Sequence, residues 1–231
     1  MTYYWIVGIT FFVSVIVSRI LKNKFRIYSE LYLHNHMSGK EIAEKMLTDN
    51  GIYDVSVISV EGELTDHYNP MNKTVNLSER VYHDKTAAAA AVAAHECGHV
   101  LQHKLGYNML KLRNQLVPIL NFSSRFTNIV LMSGLAIFYS SGGKNAFLLK
   151  LGIGLFSLAV LFSFITLPIE FDASKRALNW LKNKNIVSYQ EYDTAKDSLK
   201  WASMTYVVSA LGSLAQLIYF MSIFSSDKKD D

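Results

Sequence analysis

The chain has 231 residues, which is long enough for one compact domain with accessory elements but too short for two large globular domains. Half of the residues are hydrophobic, yet 23 Lys and Arg and 19 Asp and Glu are present, so the charges must be separated from apolar blocks. The single cysteine, Cys97, excludes an internal disulfide framework, and the net charge of +4 is accompanied by no nucleic-acid-binding motif.

Four runs of the sequence contain no charged side chain: 1–18, 126–143, 151–169 and 201–226. Each is close to or above the roughly 18 apolar residues that a bilayer span requires. If these runs were instead buried core helices, too little polar chain would remain to cover them. We therefore expect about four transmembrane helices, at 1–21, 116–141, 146–168 and 202–224, followed by a polar tail at 225–231.

The distribution of basic residues predicts the orientation of these helices. The first run has no basic residues before it and several after it, which favours an anchor with an external N-terminus over a cleaved signal peptide. Segments 19–125 and 170–200 hold 19 of the 23 basic residues. By the positive-inside rule, the two polar segments 22–115 and 169–201 should face the cytoplasm as parts of an integral membrane protein.

The first polar segment should form a small α+β unit. Ser38 and Glu41 have the spacing of a capping box and precede a short amphipathic helix. The alternating, Val- and Ile-rich stretch 53–60 and the segment Thr74–Leu77 predict a sheet of two or three strands. An alanine-rich stretch from about Lys85 to Leu105 then predicts a strong helix that ends at Gly106. The predicted fold class is a mainly α membrane protein that carries a small α+β domain.

The alanine-rich helix contains the sequence His95-Glu-Cys-Gly-His99, an HExxH motif. Two helical residues four positions apart differ by about 40° in direction and about 6 Å along the axis, so both imidazoles can bind one metal ion. Glu96 lies beside them without filling a coordination site, which is the position of a general base acting on water. The motif predicts one zinc ion per chain, bound by His95 and His99, with Glu96 as the catalytic residue.

A catalytic zinc site usually has three protein ligands, so a further ligand is needed. Glu170 follows Pro168 at the end of the third apolar run and is the best candidate. Asp172 could be a ligand instead, or an acceptor that orients a ligating imidazole through its other nitrogen. Both acids could also be ordinary residues of a helix N-terminus.

The remaining histidines near the motif carry less information. His67 and His83 could contact a substrate but are better explained as surface or satisfied core residues. His103 lies about 12 Å along the helix axis from His95, too far to join the same site. Cys97 points away from both motif histidines, so we expect it to pack in the core.

Several motifs resemble the YugP-type neutral zinc metallopeptidase family of bacterial membrane proteins, and more distantly the HtpX-type heat-shock proteases and CAAX prenyl proteases. The resemblance covers most of the chain. It includes Leu64-Thr-Asp-His-Tyr-Asn-Pro70, the alanine run into the HExxH motif, the two apolar runs that follow, and Glu170-Phe-Asp-Ala-Ser174.

The resemblance implies a zincin-like domain in which His95, His99 and Glu170 bind zinc and Glu96 is the base. Related proteases often place an aspartate three or four residues after the third ligand, whereas Asp172 is only two residues away. The wider group binds substrate as a strand added to a sheet edge, and the segment Thr74, Val75, Asn76 and Leu77 is the predicted edge.

The function predicted from these observations is a membrane-embedded zinc metalloendopeptidase with a peptide or protein substrate, which could itself be a membrane protein. Its other partner is the lipid bilayer, and no nucleic acid is expected. One alternative is an inactive zinc-binding membrane adaptor, which would not need Glu96. Another is an intramembrane protease, but its site would require an aspartate in a span, and none of the four predicted spans contains one.

Overall fold

A computed structural model describes residues 2–227 and is mainly helical. Seven α-helices and three strands follow in the order α1 Thr2–Tyr28, α2 Gly39–Asp49, β1 Ser56–Val60, β2 His67–Asn69, β3 Thr74–Ser78, α3 Glu79–His83, α4 Ala87–Lys104, α5 Asn108–Ser140, α6 Phe147–Asn183 and α7 Tyr189–Asp227. The predicted mainly α fold with a small sheet is confirmed. The chain divides into two compact units.

The unit that contains the HExxH motif comprises residues 16–110 and 168–205. Its sheet has the order β1-β3-β2, in which β3 pairs with β1 in parallel and with β2 in antiparallel register. The prediction that Thr74, Val75, Asn76 and Leu77 form a free edge is therefore wrong. Strand β3 lies between β1 and β2, so these two strands form the edges of the described sheet. As expected for a central strand, Val75, Asn76 and Leu77 of β3 are buried.

The core of this unit is built around α4. Its first half is almost entirely alanine and almost entirely buried, so the small side chains let neighbouring elements approach the helix closely. The Thr86 hydroxyl accepts a hydrogen bond from the backbone N–H of Ala89 and caps the helix N-terminus. Gly106, directly after the helix, has a φ of +64°, which glycine adopts without strain and which ends the helix as predicted.

Helix α2 packs against α4 and begins with the predicted capping box. The Ser38 hydroxyl accepts from the backbone N–H of Glu41, and the Glu41 carboxylate accepts from the backbone N–H of Ser38. Cys97 of α4 lies against α2, with its sulfur 3.6 Å from the Ala43 carbonyl oxygen. Burial raises the pKa of this thiol, so Cys97 is an unreactive packing residue.

The other unit comprises residues 2–15, 111–167 and 206–227 among those described. Two glycines let its helices α5 and α6 touch. A Cβ on Gly134 would lie 2.6 Å from the Leu149 backbone, and one on Gly152 would lie 2.7 Å from Leu131 Cα. Close approach at small residues is typical of helix packing in membranes, where burial of apolar area does not drive association.

Three of the described helices are long and apolar enough to cross a membrane by length and composition: α1 over Tyr3–Tyr28, α6 over Phe147–Asn183 and α7 over Tyr189–Ile223. The sequence predicted four. The predicted second span, 116–141, lies in α5, which has sufficient length at 33 residues. Polar residues in the middle of α5, including Asn121, Arg125 and Asn128, make it less apolar than the other three.

Helix α7 extends into the predicted polar tail 225–231. Helix α7 continues to Asp227, so the first three residues of the segment 225–231 are helical. Residues 228–231 lie outside the described part of the chain.

Candidate metal centre

Two helices bring three metal-binding side chains together. His95 and His99 lie on successive turns of α4, with ring centroids 4.7 Å apart and ring planes at 85°. Glu170 comes from α6, and one of its carboxylate oxygens is 3.3 Å from His95 Nε2 and 3.7 Å from His99 Nε2. One ligand atom from each of these three residues lies within 4.8 Å of the others, so the group could hold a metal ion.

The spacing of the donor atoms is suitable for zinc. Two ligand atoms bound to one tetrahedral zinc at the usual bond lengths lie about 3.4 Å apart. The two measured distances from the Glu170 oxygen fall close to this value. The donor set of two imidazoles and one carboxylate is also one that zinc peptidases use. The residues present therefore fit a zinc ion.

The site is largely desolvated but is reached by solvent. The side chains of His95 and His99 are each 13% exposed, whereas that of Glu170 is 5% exposed. Partial exposure on the histidine side leaves room for a water molecule or a substrate atom. A catalytic metal site needs such an open position, whereas a structural site is closed.

Glu96 is buried beside the two motif histidines. Burial raises the pKa of this carboxyl group, while His95 and His99 oppose that increase. The negative charges of Glu170 and, to a smaller extent, Asp66 also contribute to the increase. A carboxylate whose pKa is raised is a stronger proton acceptor.

A glycine inside the motif lets the two ligand-bearing helices meet. A Cβ on Gly98 would lie 2.6 Å from the Ala173 carbonyl oxygen and 3.1 Å from Ala173 Cα. Any larger residue would therefore push α6, and Glu170 with it, away from α4. Position 98 is one of the two variable positions of HExxH, so the motif itself does not predict this requirement.

The second nitrogen of each histidine also has a partner. His95 Nδ1 is 3.1 Å from the Ser174 hydroxyl, and His99 Nδ1 is 3.0 Å from the Gln102 carboxamide oxygen. Sequence reasoning missed both partners, although their spacing could have indicated them. Gln102 lies three residues after His99 on α4, and Ser174 lies four residues after Glu170 on α6, so each is on the same helix face as a ligand.

The sequence predicts Asp172 as a ligand or as an acceptor for a ligating imidazole. In the structure, Gln102 lies between the Asp172 carboxylate and the His99 imidazole. Its carboxylate accepts from Gln102 Nε2 at 2.9 Å and from Arg176 Nε at 2.5 Å. It is not part of the described cluster of possible ligands. Asp172 therefore contacts the partner of His99 and not the imidazole.

The other histidines considered in the sequence lie apart from the cluster. His67 and His83 are exposed, with His67 Nδ1 against the Thr65 carbonyl and the His83 ring against Tyr82. His103 Nδ1 is 2.9 Å from the Tyr68 hydroxyl. This contact links β2, an edge strand, to the motif helix one turn beyond His99.

Comparisons with known proteins agree with the metal-binding geometry. The model of a family described as "Putative neutral zinc metallopeptidase" matches residues 3–225. The protein named "Putative membrane protease YugP" from Bacillus subtilis (strain 168) is 39% identical over 211 residues, which cover 91% of each chain. No solved structure matches. The resemblance found in the motifs is thereby confirmed, and the chain belongs to the YugP-type neutral zinc metallopeptidase family.

Proposed function

We propose that this protein is a membrane-embedded zinc metalloendopeptidase in which His95, His99 and Glu170 bind one zinc ion and Glu96 is the general base. The observation that carries the proposal is the convergence of three ligand atoms from two helices, next to a buried glutamate. The family to which the chain belongs supports zinc and peptidase chemistry.

The proposed reaction is hydrolysis of a peptide bond. A bound zinc ion supplies Lewis acidity, which polarises the substrate carbonyl and makes water more acidic. Glu96 accepts a proton from the attacking water and gives it to the leaving nitrogen. The position of Glu96, buried beside the two metal-binding histidines, suits both transfers, because a general base must be held within reach of the proton that it moves.

The sheet supplies a site for an extended substrate. We place the substrate strand along β2, an edge strand of the described sheet, and not along the central strand β3. Tyr68 of β2 contacts His103 on the motif helix, so a peptide along this edge would pass close to the helix that carries the ligands. Backbone hydrogen bonds along an edge bind many sequences, which suits an endopeptidase.

The proposed location of the catalytic residues is the cytoplasmic side of a bacterial membrane. Support comes from the apolar helices, from the relative named as a membrane protease, and from the basic residues concentrated in segments 19–125 and 170–200. A cysteine placed at the exposed Tyr53 tests the location, because the native Cys97 is buried. Labelling by an impermeant maleimide only after cell lysis is expected, and labelling of intact cells would contradict a cytoplasmic site.

The experiment that tests the enzyme is a comparison of purified wild type with Glu96→Gln and His95→Ala. We expect about one zinc per wild-type chain and cleavage of casein. Glu96→Gln should retain the zinc but lose activity by about 10²–10⁴-fold, the usual contribution of a general base. His95→Ala should lose both. A Glu96→Gln variant that cleaves as well as wild type would contradict the mechanism, and a zinc-loaded wild type without activity would favour an adaptor.

A further inference from the structure

The Gln102 side chain is completely buried between α4 and α6, and both its amide nitrogen and its oxygen have hydrogen-bond partners. Its Nε2 donates to the Ile169 carbonyl at 2.7 Å and to the Asp172 carboxylate at 2.9 Å. Its Oε1 lies 3.0 Å from His99 Nδ1. A carboxamide has two N–H donors and one acceptor oxygen, and here each faces a partner.

These partners determine which way the carboxamide points. Both groups near Nε2, the Ile169 carbonyl and the Asp172 carboxylate, are acceptors. A flipped amide would place its oxygen against two other oxygens and leave them without donors in a buried site, which is costly. The oxygen of Gln102 must therefore face His99.

The orientation of Gln102 in turn determines the tautomer of His99. Because the amide oxygen can only accept, His99 Nδ1 must carry the proton and donate it. In neutral imidazole, the other nitrogen then has the free lone pair that a metal requires. That nitrogen, Nε2, is the one that lies 3.7 Å from the Glu170 carboxylate.

His95 lacks a comparable constraint. Its Nδ1 faces the Ser174 hydroxyl, and a hydroxyl can either donate or accept. This contact holds the ring but does not select a tautomer. Within the part of the chain that the structure describes, His99 is the only one of the two motif histidines with a neighbour that enforces the metal-binding form.

The same carboxamide also connects the two helices that supply the ligands. It begins on the motif helix, three residues after His99, and its donors end on α6 at the residue before Glu170 and at Asp172. Arg176 Nε donates to the same oxygen of Asp172 that accepts from Gln102. A change at Gln102 would disturb the tautomer of one ligand and the backbone beside another.

We infer that Gln102 is a positioning residue of the metal site, which fixes the Nδ1-protonated form of His99 and holds α6 so that Glu170 completes the ligand set, with Asp172 and Arg176 as its support. The inference rests on the proposed zinc-binding function. Outer partners of metal-binding histidines typically change metal affinity by about 10–100-fold when they are removed.

The test measures the zinc affinity of folded protein in detergent by competition with a chelator, together with the visible absorption of the Co²⁺-substituted form. Gln102→Leu should weaken zinc binding by about 10–100-fold and shift the Co²⁺ bands, since both depend on ligand geometry. Gln190→Leu, at an exposed glutamine of α7 in the same unit, is the matched control and should change neither.

A second pair of variants keeps the inference testable if Gln102→Leu does not fold. Gln102→Glu retains an acceptor for His99 but places a carboxylate against the Ile169 carbonyl and Asp172, so affinity should fall. Adding Asp172→Asn replaces the second of these repulsions with an amide donor and should restore part of the loss. A purely structural role would change the thermal midpoint of the metal-free protein without this pattern in zinc affinity.

The possible results distinguish a failure of the proposed zinc-binding function from a failure of the inference about Gln102. Wild type that binds zinc no more tightly than Glu170→Ala would overturn the proposed function and the inference with it. Wild type that binds zinc through Glu170, beside a folded Gln102→Leu variant of equal affinity and an unchanged Co²⁺ spectrum, would overturn the inference alone. A double variant no tighter than Gln102→Glu would also overturn it.

Discussion

The two helices that meet at the metal centre contribute to it in different ways. Helix α4 presents His95 and His99 through the geometry of a single helix, and its alanine half packs in the core of one unit. Helix α6 presents Glu170 only because Gly98 lets the two backbones come within contact distance. One part of the site is therefore local and follows from sequence spacing, whereas the other part depends on tertiary packing.

The largest effect is expected from removing the α6 ligand itself. Glu170→Ala would leave two imidazoles, and zinc affinity should fall by more than the about 10–100-fold expected for an outer partner. Chelator competition on purified protein measures this loss. Asp193→Ala, at an exposed carboxylate of α7, is the control and should bind zinc as wild type does. Normal zinc binding by Glu170→Ala would mean that α6 supplies no ligand.

The next largest effect is expected at the contact between α4 and α6. Gly98→Ala adds a Cβ that meets the Ala173 backbone, so overpacking of about 1–3 kcal/mol should outweigh the helix-propensity gain of about 1 kcal/mol. A lower thermal midpoint and weaker zinc binding are expected together. In Gly154→Ala of α6, the added Cβ meets nothing within 4 Å, so only the propensity gain should remain. Equal midpoints for the two variants would argue against a critical contact at Gly98.

Substitutions in the alanine-rich half of α4 should change the stability of the protein without changing its zinc affinity. Ala90 is fully buried, and Ala90→Leu should destabilise the protein by about 1–3 kcal/mol through overpacking. That cost corresponds to a fall of about 2–4 °C in the thermal midpoint for each kcal/mol in a chain of this size. Val92→Leu, at a half-buried position of the same helix, should have a smaller effect. Zinc affinity of the folded fraction should stay unchanged in both, and a large loss would show that the two halves of α4 are coupled.

The smallest effect concerns α2, which packs against α4. The backbone N–H of Ser38, and then its hydroxyl, lower the pKa of Glu41. A carboxyl group whose pKa is lowered on folding stabilises the protein above its unfolded pKa of about 4.3 and loses that contribution as the pH falls through the folded value. Glu41→Gln should therefore lower the free energy of unfolding at pH 7 by under about 1 kcal/mol, which is measured as a lower thermal midpoint. In acid, the midpoint of the variant should no longer differ from that of wild type. A difference that persists below both pKa values would contradict this account.

Local patterns predicted much of the fold. The capping box at Ser38, the strand at Thr74–Ser78 and the end of α4 at Gly106 each depend on a few neighbouring residues and were predicted correctly. The order of the strands was not predictable in the same way. Pairing depends on contacts between distant segments, so β3 was wrongly expected at an edge.

The prediction of candidate membrane spans shows a similar limit. Runs without charge predicted α1, α6 and α7 as candidate spans. The same criterion included part of α5, because it counted charges and gave no weight to uncharged polar residues such as Asn128. Hydropathy over a full window separates α5 from the other three helices.

By itself, the sequence determined that His95 and His99 share one side of a helix, because 3.6 residues per turn leaves no other arrangement for residues four apart. It also placed Glu96 next to them. Only the tertiary structure decided that Glu170 reaches the same point, that Gly98 is the residue that permits it, and that Gln102 and Ser174 hold the imidazoles. His99 and Gln102 lie on the same helix, but the other contacts join residues of α4 to residues of α6 more than 70 positions away. Such contacts depend on how helices pack, which no short-range pattern encodes.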